Sequence, residues 1–490
     1  MSKGPNTRLA DLFGMTGWSK GELARLVNRQ AAATGHPQLS TDTSRVRRWI
    51  ETGEIPREPV PKVLAALFTE RLGRVVTTED LGFERAAGPG RVRRQSDDAL
   101  LPWAPERTAE VLTEFTGMDL MLNRRGLMGA GAALAAGSAL TGSLHEWLGS
   151  DPATLDPAAG GGGTVEPARF GRYEATPVGA QEVEALERSV AVFRSWDAER
   201  GGGLQRKAVV GQLNEVGGML AYRHPDPLQN RLWGVAANLA VLAGWMSHDV
   251  GLEPTAQRYF VIAAHAAREG GDRPRAAEAL SRAARQMIHL GRPDDAVELM
   301  AVARSGTGPE TQPRIRSMLR TVEAWALAAK GRSGAVRRTL GEAEDLFAAD
   351  PGGEPVPSWM QLFDRADLHG MQALAYRTLA EFDPAAAARA QEHGRLALAH
   401  RPEGRQRSQI LDHVSMAAAG FLADEPEDGE AYARLALERI GENSSHRTWD
   451  RLRETYRLTA PYADEPLVRA LREEIRDALP RAARGRTSPV

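Results

Sequence analysis

Three glycines, Gly251, Gly291 and Gly331, stand 40 residues apart, each between an apolar helix end and the start of a new helix. The stretches that carry them are GWMSHDVGLEPTAQRYF, RQMIHLGRPDDAVELM and WALAAKGRSGAVRRTL. Weaker echoes follow at TLAEFDPAAAARA and GFLADEPEDGEAYARLAL. Between two such turns, Leu280, Ala283, Ala284, Met287 and Ile288 fall at the i, i+3, i+4, i+7, i+8 positions of a helix with one buried face. Ala296, Leu299, Met300 and Ala303 repeat the pattern after the turn, and alanines at the crossing points let paired helices approach closely. A helix pair recurring every 34 to 47 residues or so predicts a stack of pairs that share one continuous core.

Strand-like alternation is almost absent from the chain, so the expected fold class is all-α. The pairs resemble tetratricopeptide repeats with a degenerate consensus, and this resemblance implies a C-terminal α-solenoid over residues 180–480. Residues 96–179 read as a linker region. They contain an apolar stretch and then DPATLDPAAGGGGTVEPARFGRYEATP, whose four consecutive glycines, Gly160–Gly163, favour a flexible connection. Residues 1–95 form a separate N-terminal domain that ends in the polar run AAGPGRVRRQSDDA, and residues 481–490 read as a disordered tail.

Composition narrows the chemistry. None of the 490 residues is cysteine, which excludes disulfides, thiol catalysis and cysteine-ligated metals. The eleven histidines are scattered, and His248, His265 and His289, in helices, read as turn or surface residues rather than ligands. Zinc-protease, phosphate-loop and nucleophile-elbow motifs are missing, and GLMGAGAAL fails as a dinucleotide fingerprint because Leu134 stands where glycine or alanine is needed. The expectation is no enzyme, no cofactor and no metal. The net charge of −2 hides an asymmetry: residues 1–95 carry 16 Lys and Arg against 10 Asp and Glu. A basic first domain on an acidic remainder points to an anionic partner for the first domain alone.

The first domain reads as a run of short helices. One surrounds Thr7–Leu12, and a second opens with Ser19 and Glu22 at capping-box spacing and turns Leu23, Leu26 and Val27 inward. The stretch NRQAAATGHPQLS reads as a long loop, after which Ser40 or Thr41 can cap a third helix, TDTSRVRRWIE. On that helix Val46, Trp49 and Ile50 share one face, while Thr43, Ser44, Arg45, Arg47 and Arg48 lie largely off it. A turn and a fourth helix follow, with Val63, Leu64, Leu67 and Phe68 inward. This is the layout of a helix-turn-helix reader, whose third helix enters the major groove. Arginine suits that role because its fork can bond guanine O6 and N7 together. Lys20 and Arg57 complete the expected DNA-binding set, and Glu51, Glu54 and Glu58 beside the arginines oppose it by repelling phosphate.

VRRWIETGEIPREPVPKVLAALFTERLGRVVTTEDLGF resembles XRE-type DNA-binding domains of actinomycete regulators, in a V-x-x-W helix, a G-x-x-P-R turn and a final element ending in dlG. The resemblance covers roughly residues 7–83. With the linker and the repeats, the whole chain is similar to regulators that include negative regulators of sporulation and antibiotic production. It implies double-stranded DNA as partner, a homodimer, and a peptide, small molecule or protein as ligand of the repeat domain. The expected location is cytoplasmic, since MSKGPNTRLADLFG has no signal-peptide core.

NRRGLMGAGAALAAGSALTG imitates a twin-arginine export signal. Its apolar run, Leu127 to Gly142, falls short of the roughly 20 residues that span a bilayer. The expectation is a helix packed in the linker region or against the repeats. The rival reading is a membrane-tethered regulator.

Overall fold

The computed structural model describes residues 5–83 with gaps at 34–35, 37, 58, 73–75, 77 and 79; 105–121; seven positions between 134 and 144; 178–200; 205–440 except 351, 353 and 354; and 446–479. Nineteen α-helices and no strand occur among these residues. The first four are α1 (Thr7–Thr16), α2 (Lys20–Ala33), α3 (Thr43–Glu51) and α4 (Val60–Leu72). They share a small core of their own, into which Leu9, Leu23, Val46, Leu64 and Phe68 are fully buried. Leu81 and Phe83 close it from beyond α4. Asn6 ties its parts together. Its side chain caps α1 by accepting from the Leu9 amide and donates to the Leu81 carbonyl at 2.7 Å, while its own amide bonds the Ile50 carbonyl at 2.9 Å.

Helix α5 (Pro105–Met121) belongs to a second, larger core. It packs on α7 (Arg206–Leu220), and a Cβ on Gly217 would lie 2.5 Å from a Leu112 methyl, so any larger residue there would force that side chain to move. Buried Asp119 of α5 pairs with Arg206 and accepts from the Tyr259 hydroxyl at 2.5 Å. The region read as linker therefore contributes a helix to the main body. Gly160–Gly163 lie outside the described residues.

The remainder runs α6 (Ala180–Arg200), α7, α8 (Asp226–Asp249), α9 (Glu253–Glu269), α10 (Arg273–His289), α11 (Pro293–Ser305), α12 (Pro313–Ala328) and α13 (Ser333–Ala348), then α14 (Arg365–Leu379), α15 (Ala386–His400), α16 (Gln406–Leu422), α17 (Pro426–Ile440), α18 (His446–Leu458) and α19 (Pro466–Ala478). From α8 to α17 each even-numbered helix packs closely on the next, and α8, α10, α12, α14, α16 and α18 also touch in succession. Pairs thus stack with their first helices in one row.

The glycine turns explain the regularity. Gly251, Gly291 and Gly331 have φ of 73°, 71° and 66°, the left-handed conformation in which a side chain is strained. Each lies just past a helix, and the residue after it donates back across the turn: Leu252 to Ser247, Arg292 to Met287, Arg332 to Leu327. This is the Schellman stop. Gly271 (φ 71°) makes the same turn, with Asp272 bonding Ala267, so the stop falls every 20 residues here and the 40-residue spacing spans two helices. At the weak echo GFLADEPEDG the position is taken by Asp424 (φ 62°), with Glu425 bonding Gly420.

The apolar stretch is described at six positions, and Leu144 just beyond it is described as well. Leu140 and Leu144 are fully buried in the larger core. Gln257 of α9 clamps Ala135, accepting from its amide at 2.8 Å and donating to its carbonyl at 2.9 Å, and Asp295 of α11 accepts from the Gly137 amide at 2.7 Å. These residues lie against the paired helices. Among the described residues no helix is long and apolar enough to cross a membrane.

Candidate nucleic-acid interface

Helix α3 is nine residues long and strongly two-sided. Val46, Trp49 and Ile50 are buried at the i, i+3, i+4 positions, which fixes the roll of the helix on α1 and α2. Thr43, Ser44, Arg45, Arg47 and Arg48 are consequently all exposed, on one continuous surface that starts at the helix N-terminus. Asp42 supplies the cap, its carboxylate accepting from the Arg45 amide at 2.8 Å. The expectation of Ser40 or Thr41 as cap is corrected here. Thr41 is buried and held by Asn28 of α2, which accepts from its amide at 2.6 Å and donates to its carbonyl at 2.8 Å. The loop expected over NRQAAATGHPQLS is also shorter than read, because Asn28–Ala33 continue α2.

The charges of this face are paired. Glu51, at the end of α3, accepts from Arg47 one helical turn before it and from Lys20 at the start of α2, both at 2.6 Å. These bonds hold the Glu51 carboxyl below its ordinary range and raise the Arg47 guanidinium. Arg48 bonds Glu54 at 2.8 Å. Arg45 turns back along the chain to the Ser40 carbonyl. Arg57 is exposed in the extended segment between α3 and α4. The fold therefore gathers Lys20, Arg47 and Arg48 at one end of α3, sets Thr43 and Ser44 at the other, and leaves Arg57 outside the helix.

Ion pairs this exposed contribute little to stability, since water and salt screen them. They are exchangeable: a phosphate oxyanion offers each arginine a pair of acceptor oxygens, as glutamate does. Glu51 and Glu54 hold the cations in place and also compete for them. Asp42, Asn28 and Asn6 position α3 without touching its exposed face, and sequence reasoning missed all three. The one available signal was their type, since short polar side chains bond nearby backbone and so favour caps and turns.

Residues 9–84 match the family model described as SP15 N-terminal domain. The matched span runs from α1 through Phe83, the extent of the small core. No curated protein matches the chain. No solved structure matches it either.

Proposed function

We propose that this chain is a DNA-binding transcriptional regulator. In this reading α1–α4 form a helix-turn-helix domain of the XRE type, and α3 is the recognition helix in the major groove. The stacked pairs are a tetratricopeptide-like solenoid that senses a ligand or pairs two subunits. One observation carries the reading: burial of Val46, Trp49 and Ile50 leaves the hydroxyls and three arginines of α3 together at the surface. A helix presented in this way, with polar groups at its N-terminal half, meets the needs of base-edge contact. The partner is double-stranded DNA, bound by a homodimer in the cytoplasm, and the resemblance to actinomycete regulators points to control of development or secondary metabolism.

The engagement of Arg47 and Arg48 by Glu51 and Glu54 favours a second reading, an interaction scaffold whose first domain only folds. Genomic footprinting separates the two. Discrete enriched sites support the regulator, and uniform background supports the scaffold.

A further inference from the structure

A cavity of about 290 Å³ runs along the row of first helices, with walls from α6, α8, α10, α12, α14, α16 and α18. Its size is close to the lower end of ligand pockets, roughly 300–1,000 Å³. Seven arginines line it. Four of them are matched by carboxylates. Arg282 bonds Glu278 at 2.7 Å, and Arg401 bridges Asp367 and Asp412 at 2.9 and 2.8 Å. Arg405 reaches Asp367 at 2.6 Å, and Arg407 meets Asp249 at 2.8 Å.

The other three, Arg194, Arg285 and Arg451, have no carboxylate within ion-pair distance among the described residues. Arg194 donates to the Asn238 amide oxygen at 2.7 Å, and Arg275 donates to that same oxygen. Arg285 has the Met371 sulfur at 2.9 Å, and its Nε is buried without a hydrogen-bond partner. Arg451 stacks over the Trp325 ring at 5.5 Å. His289 Nε2, also on this wall, is buried without a partner. Burial and the neighbouring arginines push the Arg285 guanidinium down to about 9 and Arg451 down to about 10, so both are charged at neutral pH but held unfavourably. Glu278 and Asp367 near Arg285, and Glu454 and Asp412 near Arg451, offset this only in part, and none of them forms an ion pair with these two arginines. A desolvated cation without a directly bonded counter-charge is held at a cost to the fold. Where several converge in one cavity beside aromatic walls, the arrangement fits binding better than stability.

We infer that this cavity binds a small organic anion, an oxyanion with paired acceptor oxygens carried on a flat aromatic body, with the oxyanion at Arg285 and Arg451 and the ring beside Trp245, Trp325 and Trp359. Arginine forks match the paired oxygens of carboxylate and phosphate alike. The cavity is built from side chains between Arg194 and Arg451, so the anion would draw seven helices together. Its service as the signal that governs DNA binding rests on the proposed function. The binding itself does not.

The test uses the full chain without DNA. Three probes share one ring system: 1-naphthyl phosphate, 1-naphthoate and uncharged 1-naphthalenemethanol. Calorimetric titration should give at least tenfold tighter binding of one anion than of the alcohol, and the tighter anion identifies the oxyanion as phosphate or carboxylate. Arg285→Met and Arg451→Met should each weaken that anion at least tenfold and leave the alcohol unchanged. Each should also raise the melting temperature of the unliganded protein, because a buried charge held without an ion pair is removed, whereas loss of a structural arginine would lower it. If one variant fails to fold, the other and the charge preference decide. Equal affinity for charged and uncharged probes, no anion binding at millimolar concentration, or lowered melting temperature in both variants would overturn the inference. Because DNA is absent, failure here leaves the DNA reading intact, and failure of the DNA reading leaves this one.

Discussion

Glu51 is the residue on which the α3 face turns. It bonds Arg47 and Lys20, and any phosphate that approaches has to displace it. Glu51→Gln should therefore tighten DNA binding and steepen its fall with salt, since two cations become available for counterion release. Affinity measured at several salt concentrations checks this, and unchanged affinity and slope would mean that Arg47 and Lys20 do not meet DNA. Arg47→Ala should weaken binding roughly five- to 150-fold and relax the preference at one base position, the range for losing one base-reading arginine. Trp49 acts on the other side of the helix. It is buried in the small core, and Trp49→Ala should destabilise the first domain by about 3–5 kcal/mol. A variant melting like wild type would show that the helix is rolled differently.

At the scale of elements, the recurring unit is a helix ended by a left-handed residue. Gly271 and Gly331 separate two costs. A Cβ at Gly271 meets nothing within 4 Å, so Gly271→Ala should cost only the conformational strain, about 1–2 kcal/mol. At Gly331 the same Cβ would sit 3.1 Å from the Phe382 ring, so Gly331→Ala should cost more. Denaturant titration of both variants tests the order, and equal costs would remove Phe382 from the account. These turns also show what a sequence can and cannot reveal. The helix pairs were legible because Gly251, Gly291 and Gly331 mark left-handed stops and because apolar residues recur at helical spacing between them. The turn at Asp424 was weak because aspartate seldom takes that conformation. The split of α3 was legible from spacing alone, whereas its cap was not, because Ser40, Thr41 and Asp42 are all capping types and only the clamp from Asn28 selects among them. The arginine cavity left no local pattern: its walls come from positions between 194 and 451, each on a helix that reads as ordinarily amphipathic.

At the scale of the molecule, the first core and the larger body touch through Asp80, which Arg292 bonds at 2.9 Å while also bonding Asp295. Asp295 in turn accepts from Gly137, so the end of the first domain, the small-residue segment and α11 converge on one site. Among the described residues the small core ends at Phe83 and the larger one begins with α5, in which Leu140 is also buried. A fragment ending near residue 95 should fold yet bind DNA weakly, because half-sites are read by dimers and linkage supplies the second contact at raised effective concentration. Light scattering should find the full chain a dimer, and a monomer that binds a single half-site tightly would contradict that view. The measurement that bears most directly on the central claim is genomic footprinting of the wild type beside a doubly substituted Arg47→Ala, Arg48→Ala protein. The account predicts discrete sites with a palindromic or repeated motif for the wild type and their loss in the variant, with folding unchanged. Wild-type background without discrete sites, or sites that persist unaltered in the variant, would contradict it.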